Sequence, residues 1–252
     1  MSATGQTQGR LTSQDGAEIA WLRTRGRGPT VVWLNGLRSD MTGTKAQAVV
    51  AWAGAAGRDL LRFDYFGHGA SGGAFVDGTI GRWRDDVLAV IDGLTEGPLI
   101  LVGSSMGGWL ACLGALARPE RIAGLVLIAP AADFTDKLLE PELGPAGMAA
   151  AERDGVVVRP SSYDPAGYPI TAALLRDGRR WSILPGPVPI TAPVRVLHGG
   201  ADEAVSWAHG LTLAQAIQSR DLVFTLIKDG DHRLSRPQDI ARLIAALEEL
   251  CG

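Results

Sequence analysis

Cysteine is nearly absent from this chain: 252 residues include two, Cys112 and Cys251. Neither has a C-x-x-C partner, so the spacing offers no disulfide framework, and reduced thiols in a cytoplasm are the expectation. Histidine is almost as scarce, with four residues. Their spacing from the cysteines supports no metal site. Basic clusters are missing too. The net charge is −3, and no run of Lys or Arg is dense enough to track a phosphate backbone, which argues against a nucleic-acid partner. No stretch reaches the roughly 18 apolar residues that a membrane-spanning helix needs. The polar start, Met1 to Arg10, lacks the apolar core of a secretory signal. Internal repeats and low-complexity tracts are also lacking.

Apolar sequence and glycine are abundant: 46% of residues are hydrophobic and 33 are glycine. The length suits a single domain, 1–252, that carries an insertion. β-rich runs at 18–24, 30–35, 59–64, 98–103, 122–128, 194–198 and 221–228 alternate with amphipathic segments at 44–55, 79–94, 106–117, 204–218 and 237–250. Such alternation predicts an α/β architecture, a mostly parallel central sheet flanked by helices. Gly26 to Pro29 form the turn between the first two strands, which are expected to pair antiparallel. Residues 133–192 break the rhythm with Pro, Gly and five arginines: Arg153, Arg159, Arg176, Arg179 and Arg180. A structureless loop of that length is uncommon, so a small cap above the carboxyl edge of the sheet is expected. Its apolar residues Leu138, Leu139, Leu143 and Met148 could meet an acyl chain, and Arg179 or Arg180 an acidic leaving group.

The most informative stretch is Val102-Gly103-Ser104-Ser105-Met106-Gly107-Gly108. An apolar strand precedes it and a helix follows it. Gly103-x-Ser105-x-Gly107 in that context is a strand–turn–helix elbow that strains the middle residue and exposes its hydroxyl. The flanking glycines remove side chains that would collide with neighbouring backbone. The helix N-terminus then aims free N–H groups at charge developing beside Ser105.

A serine hydroxyl needs a base within hydrogen-bond reach. Among the histidines, His68 lies in a glycine-rich turn, His198 ends a strand and His209 lies in a predicted helix. His232 follows the last strand, in a loop at the carboxyl edge where ligands bind in open α/β sheets; it is the expected base. The acid that orients it is expected to be Asp202, after the strand at 194–198, with Asp133 as the alternative. Asp231 adjoins the histidine, and sequence neighbours seldom face each other across a loop. Oxyanion stabilisation needs two N–H groups: Met106, after the nucleophile, and Leu37, after Asn35-Gly36. Asp64-Tyr65-Phe66-Gly67-His68-Gly69-x-Ser71 reads as a mainly structural sharp reversal. Trp207 is a candidate for an acyl pocket, though packing is the default for tryptophan.

The order Ser105, Asp202, His232 is the order of an α/β-hydrolase. Thr42-Gly43-Thr44-Lys45-Ala46, Arg62-Phe63-Asp64-Tyr65, Gly81-Arg82-Trp83-Arg84-Asp85-Asp86-Val87, Leu101 to Leu110, Ala117-Arg118-Pro119-Glu120 and Asp231-His232-Arg233 together resemble the palmitoyl-protein thioesterase and acyl-glucuronide esterase branch of that superfamily. The resemblance runs collinearly from about Gly36 to the last helix. It implies an α/β-hydrolase fold, a serine triad at Ser105, Asp202 and His232, no cofactor, and a small-molecule ester or thioester substrate, with an acylated protein as a further candidate. A small-peptide aminopeptidase, a carbon–carbon bond hydrolase and a catalytically silent binding protein are alternatives on the same fold.

Overall fold

Runs such as Leu99-Ile100-Leu101-Val102 and Leu125-Val126-Leu127-Ile128 are apolar at every position, so both of their faces must be covered. A computed structural model describes residues 5–13, 15–160, 165–184 and 186–252. The first four residues of the polar start, and parts of the 133–192 segment, lie outside the described residues. Eight strands form one sheet: β1 (Gln6–Thr12), β2 (Glu18–Thr24), β3 (Arg27–Leu34), β4 (Arg58–Phe63), β5 (Leu99–Ser104), β6 (Ile122–Ile128), β9 (Val194–Gly199) and β10 (Leu222–Ile227). Their order is β1-β2-β4-β3-β5-β6-β9-β10, parallel from β4 onward.

The two faces of each strand feed different layers, as a period of two requires. Val31, Trp33, Ile100 and Val102 pack beneath α1 (Thr44–Ala56) and α7 (Pro237–Cys251). Val32, Leu34, Leu99 and Leu101 pack on the other side, against α2 (Ile80–Leu94), α3 (Met106–Ala117) and α6 (Trp207–Ala216). Trp83 of α2 and Trp109 of α3 are fully buried there.

The expected antiparallel pair of 18–24 with 30–35 does not form. β4 lies between the two, antiparallel to β2 and parallel to β3. A buried polar link explains the placement. Asp59 of β4 accepts from Arg23 Nη2 of β2 at 2.5 Å and from Thr30 Oγ1 of β3 at 2.7 Å. A Cβ on Gly26 would lie 2.1 Å from the Arg58 carbonyl carbon, so the turn admits β4 only because it carries glycine. β2 instead pairs antiparallel with β1, a polar edge strand without the apolar alternation that announces strands.

Between the adjacent strands β6 and β9 run a π-helical turn (Thr135–Leu139), α4 (Glu140–Asp154), the antiparallel pair β7 (Val156–Arg159) and β8 (Tyr168–Thr171), and α5 (Ala172–Arg180). α4 is kinked at Gly144 (φ 61°, ψ −179°), followed by Pro145.

Candidate active site

Ser105 sits between β5 and α3 with φ 55° and ψ −119°. That backbone is costly for an L-residue and persists only where its surroundings fix it. Here the Ser105 N–H donates to Ile128 O at 2.8 Å, and Ser105 O accepts from Ala131 N–H at 3.1 Å. Glycine makes the turn sterically possible. A Cβ on Gly103 would lie 2.2 Å from Gly107 O, and one on Gly107 would lie 2.2 Å from Leu34 O.

The loops after β9 and β10 bring two more side chains to this edge. His232 Nε2 lies 3.1 Å from Ser105 Oγ, and its Nδ1 lies 2.8 Å from Asp202 Oδ2. A carboxylate can only accept, so Nδ1 carries the hydrogen and the Nε2 lone pair faces the serine hydroxyl. Asp202 Oδ1 accepts from the Ala204 and Val205 amides, each at 2.9 Å. His198 Nε2 stands 3.4 Å from Asp202 Oδ2 while bonding Val205 O at 2.9 Å. Burial alone would raise the Asp202 pKa; the hydrogen bonds from His198, His232 and Val205 N–H outweigh it and hold the carboxylate below its ordinary range.

Asp133, the alternative acid, is elsewhere engaged. Its carboxylate is fully buried and accepts from Ser182 Oγ at 2.6 Å, Ile183 N–H at 3.0 Å and Leu184 N–H at 2.8 Å. Asp231 accepts from Leu234 N–H. His209 bonds Ala132 O.

The loop after β3 lies directly against the nucleophile: a Cβ on Gly36 would be 3.5 Å from Ser105 Cβ. The Leu37 amide has no hydrogen-bond partner among the described residues. Met106 opens α3, where the amide has no intrahelical partner. The Gly36–Leu37 loop and the first turn of α3 thus both border Ser105. Met41 N–H donates to Asp64 Oδ1 at 2.7 Å, and Met41 O accepts from Arg62 Nη1 at 2.6 Å. Sequence reasoning read the stretch from Asp64 to Ser71 as a reversal and missed that Asp64, with Arg62 just before it, clamps this loop; only the clustering of polar residue types there signals it.

Four of the five arginines in residues 133–192 are paired with carboxylates. Arg153 pairs with Asp154, Arg159 with Glu142, Arg176 with Glu152 and Arg179 with Glu140. Arg180 lines a cavity of about 490 Å³ with Thr79, Arg82, Asp85, Asp177 and Trp181, to which none of Ser105, Asp202 and His232 contributes. Leu139 is buried, and Leu138, Leu143 and Met148 pack against the core. Trp207 begins α6 and is 41% exposed.

Residues 28–159 match the family described as serine aminopeptidase, S33. The mouse mitochondrial palmitoyl-protein thioesterase ABHD10 is 40% identical over 233 residues, which span 92% of this chain and 78% of that protein. The chain belongs to the α/β-hydrolase family. A putative hydrolase from Agrobacterium vitis S4 superposes with a TM-score of 0.95 at 43% identity, covering 98% of this chain and 99% of the other. Mouse α/β-hydrolase domain-containing protein 10 superposes with a TM-score of 0.90 at 38% identity, covering 97% and 98%. As in those relatives, a mostly parallel sheet with flanking helices carries the site. Among the described residues no helix is long and apolar enough to cross a membrane.

Proposed function

We propose that this α/β-hydrolase cleaves carboxylic ester or thioester bonds through an acyl-enzyme on Ser105. The observation that carries the reading is the unbroken hydrogen-bonded chain Ser105–His232–Asp202, with contacts of 3.1 and 2.8 Å, at a serine held at φ 55°. His232 takes the Ser105 proton as Oγ attacks the acyl carbon. The Leu37 and Met106 amides hold the tetrahedral oxyanion. His232 then protonates the leaving alcohol or thiol, and the same ring activates the water that frees the acid. Asp202 keeps the imidazole in the useful tautomer and stabilises its cation. No step calls on a cofactor. Residues 133–192 form a cap whose apolar side chains set the acyl group admitted. The name of the mouse relative, palmitoyl-protein thioesterase, favours a thioester or an acylated protein among the substrates.

The test is a panel of p-nitrophenyl esters, acyl thioesters and aminoacyl amides, together with labelling by a fluorophosphonate. Esters and thioesters should turn over and amides should lag. Ser105→Ala should abolish labelling and lower kcat by about 10⁴- to 10⁶-fold with the fold intact. A variant within tenfold of the wild type removes Ser105 from the mechanism. Preference for aminoacyl amides would make the protein an aminopeptidase.

A further inference from the structure

The Leu37 amide is presented by a tight turn. Ser39 N–H donates to Gly36 O at 3.1 Å, and Arg38, the third residue of that turn, has φ 54°. Positive φ at that position marks a type II turn, whose middle peptide is flipped relative to the commoner type I and which favours glycine there. Arginine is a poor choice for that conformation, so something outside the turn must hold the Leu37–Arg38 peptide in place.

His68 meets that requirement. Its Nε2 lies 3.1 Å from the Arg38 amide nitrogen and its Nδ1 lies 3.1 Å from Phe66 O. An amide can only donate and a carbonyl can only accept, so one tautomer fits both: hydrogen on Nδ1, lone pair on Nε2. The ring is 4% exposed and is packed edge-on by Tyr65, Phe75 and Trp83 at centroid distances of 5.6, 5.2 and 5.2 Å. Burial pushes its pKa down to about 4, which keeps the lone pair available at neutral pH. In a type I turn the Leu37 carbonyl would replace the Arg38 N–H in front of that lone pair, an arrangement of two acceptors. On the other side of the donor, Tyr65 OH donates to Asn35 O at 3.2 Å. The Leu37 amide is thus flanked by peptides that the β4–α2 loop holds on both sides.

We propose that His68 is a positioning residue of the oxyanion hole, accepting the Arg38 N–H and thereby fixing the turn that presents the Leu37 amide to Ser105. The inference rests on the reading of Leu37 as an oxyanion donor. It departs from the view of the Gly67-His68-Gly69 segment as a simple chain reversal.

Four variants test it, read by kcat and KM on a p-nitrophenyl ester and by inhibition with an alkyl trifluoromethyl ketone, whose hemiketal oxygen mimics the oxyanion. His68→Gln places an acceptor where Nε2 stood and should stay within about threefold of the wild type. His68→Asn can still donate to Phe66 O but does not reach Arg38. It should lower kcat and ketone affinity together by at least tenfold, with KM unchanged, within the about 10²- to 10³-fold that losing one oxyanion donor costs. Arg38→Gly makes positive φ intrinsic to the turn and should restore part of the His68→Asn loss. Leu37→Pro removes the donor at a turn position that welcomes proline. If Leu37→Pro leaves kcat and ketone affinity unchanged, the donor assignment is wrong, whatever His68 does. If Leu37→Pro is impaired while His68→Asn keeps wild-type kcat, the positioning role is wrong. Equal losses in His68→Gln and His68→Asn, unrelieved by Arg38→Gly, would reduce His68 to a packing residue. Should His68→Asn fail to fold, His68→Ser leaves the same acceptor missing and takes its place under the same criteria.

Discussion

Ser105, Asp202 and His232 each depend on a neighbour that is near in space and distant in sequence, but their signals differ in reach. Ser105 is legible because its glycines and its strand–helix context are local. Asp202 and His232 are legible because both follow strands whose carboxyl ends must share one edge. Asp133 met the same criterion and ends in another role, because the groups that claim it, Ser182 to Leu184, lie 49 to 51 residues along the chain. The two aspartates should therefore separate by experiment. Asp202→Asn should lower kcat on a p-nitrophenyl ester by about 10³- to 10⁴-fold, because the amide favours the wrong imidazole tautomer. Asp133→Asn should leave kcat within tenfold and cost about 1–3 kcal/mol of stability, since one carboxylate oxygen serving buried donors is lost. Denaturant midpoints beside kcat for both variants check this, and a larger kcat loss in Asp133→Asn reverses the assignment.

At the scale of elements, the parallel strands and the five core helices follow from apolar runs and helical periodicity, as Pro237–Cys251 illustrates with Leu243, Ala246, Leu247 and Cys251 turned inward. Strand neighbours do not follow, because pairing is decided by non-local contacts such as Asp59 with Arg23 and Thr30. The ion pairs of Arg159, Arg176 and Arg179 are illegible for the same reason: the glutamates that engage them come from α4 and are up to 39 residues away. The approach of α3 to β3 offers a direct test of how tightly the elbow is seated. In Gly107→Ala the new Cβ would meet Leu34 O at 2.2 Å and Asn35 O at 2.6 Å, both backbone atoms that cannot rotate away. Overpacking of this kind costs about 1–3 kcal/mol or more. Urea unfolding should show at least that loss, with reduced labelling of Ser105 by a fluorophosphonate; unchanged stability would mean that α3 can shift without cost.

For the whole molecule, one buried carboxylate makes stability depend on pH. Asp86 accepts from Phe66 N–H at 2.8 Å and from Arg82 Nε at 3.3 Å, tying α2 to the loop that carries His68. Burial nevertheless raises its pKa to about 6. The folded chain therefore holds this proton more tightly than the unfolded one, where the pKa is about 3.9. Its contribution is fully present below about pH 4 and is lost as pH rises through 6. Asp86→Asn removes that dependence. The stability of the variant relative to the wild type should rise by about 2–3 kcal/mol between pH 4 and pH 7, at about 1.4 kcal/mol per unit; a difference that stays flat across that range refutes the assignment. The scarcity of cysteine has a practical corollary. Both thiols are buried, and burial pushes that of Cys112 up to about 12. A maleimide dye should therefore label either native thiol of the folded chain far more slowly than an exposed cysteine. A single cysteine introduced at Val158, which is 62% exposed on β7, would then be a unique address for a fluorophore, and opening of the proposed cap could be timed one molecule at a time.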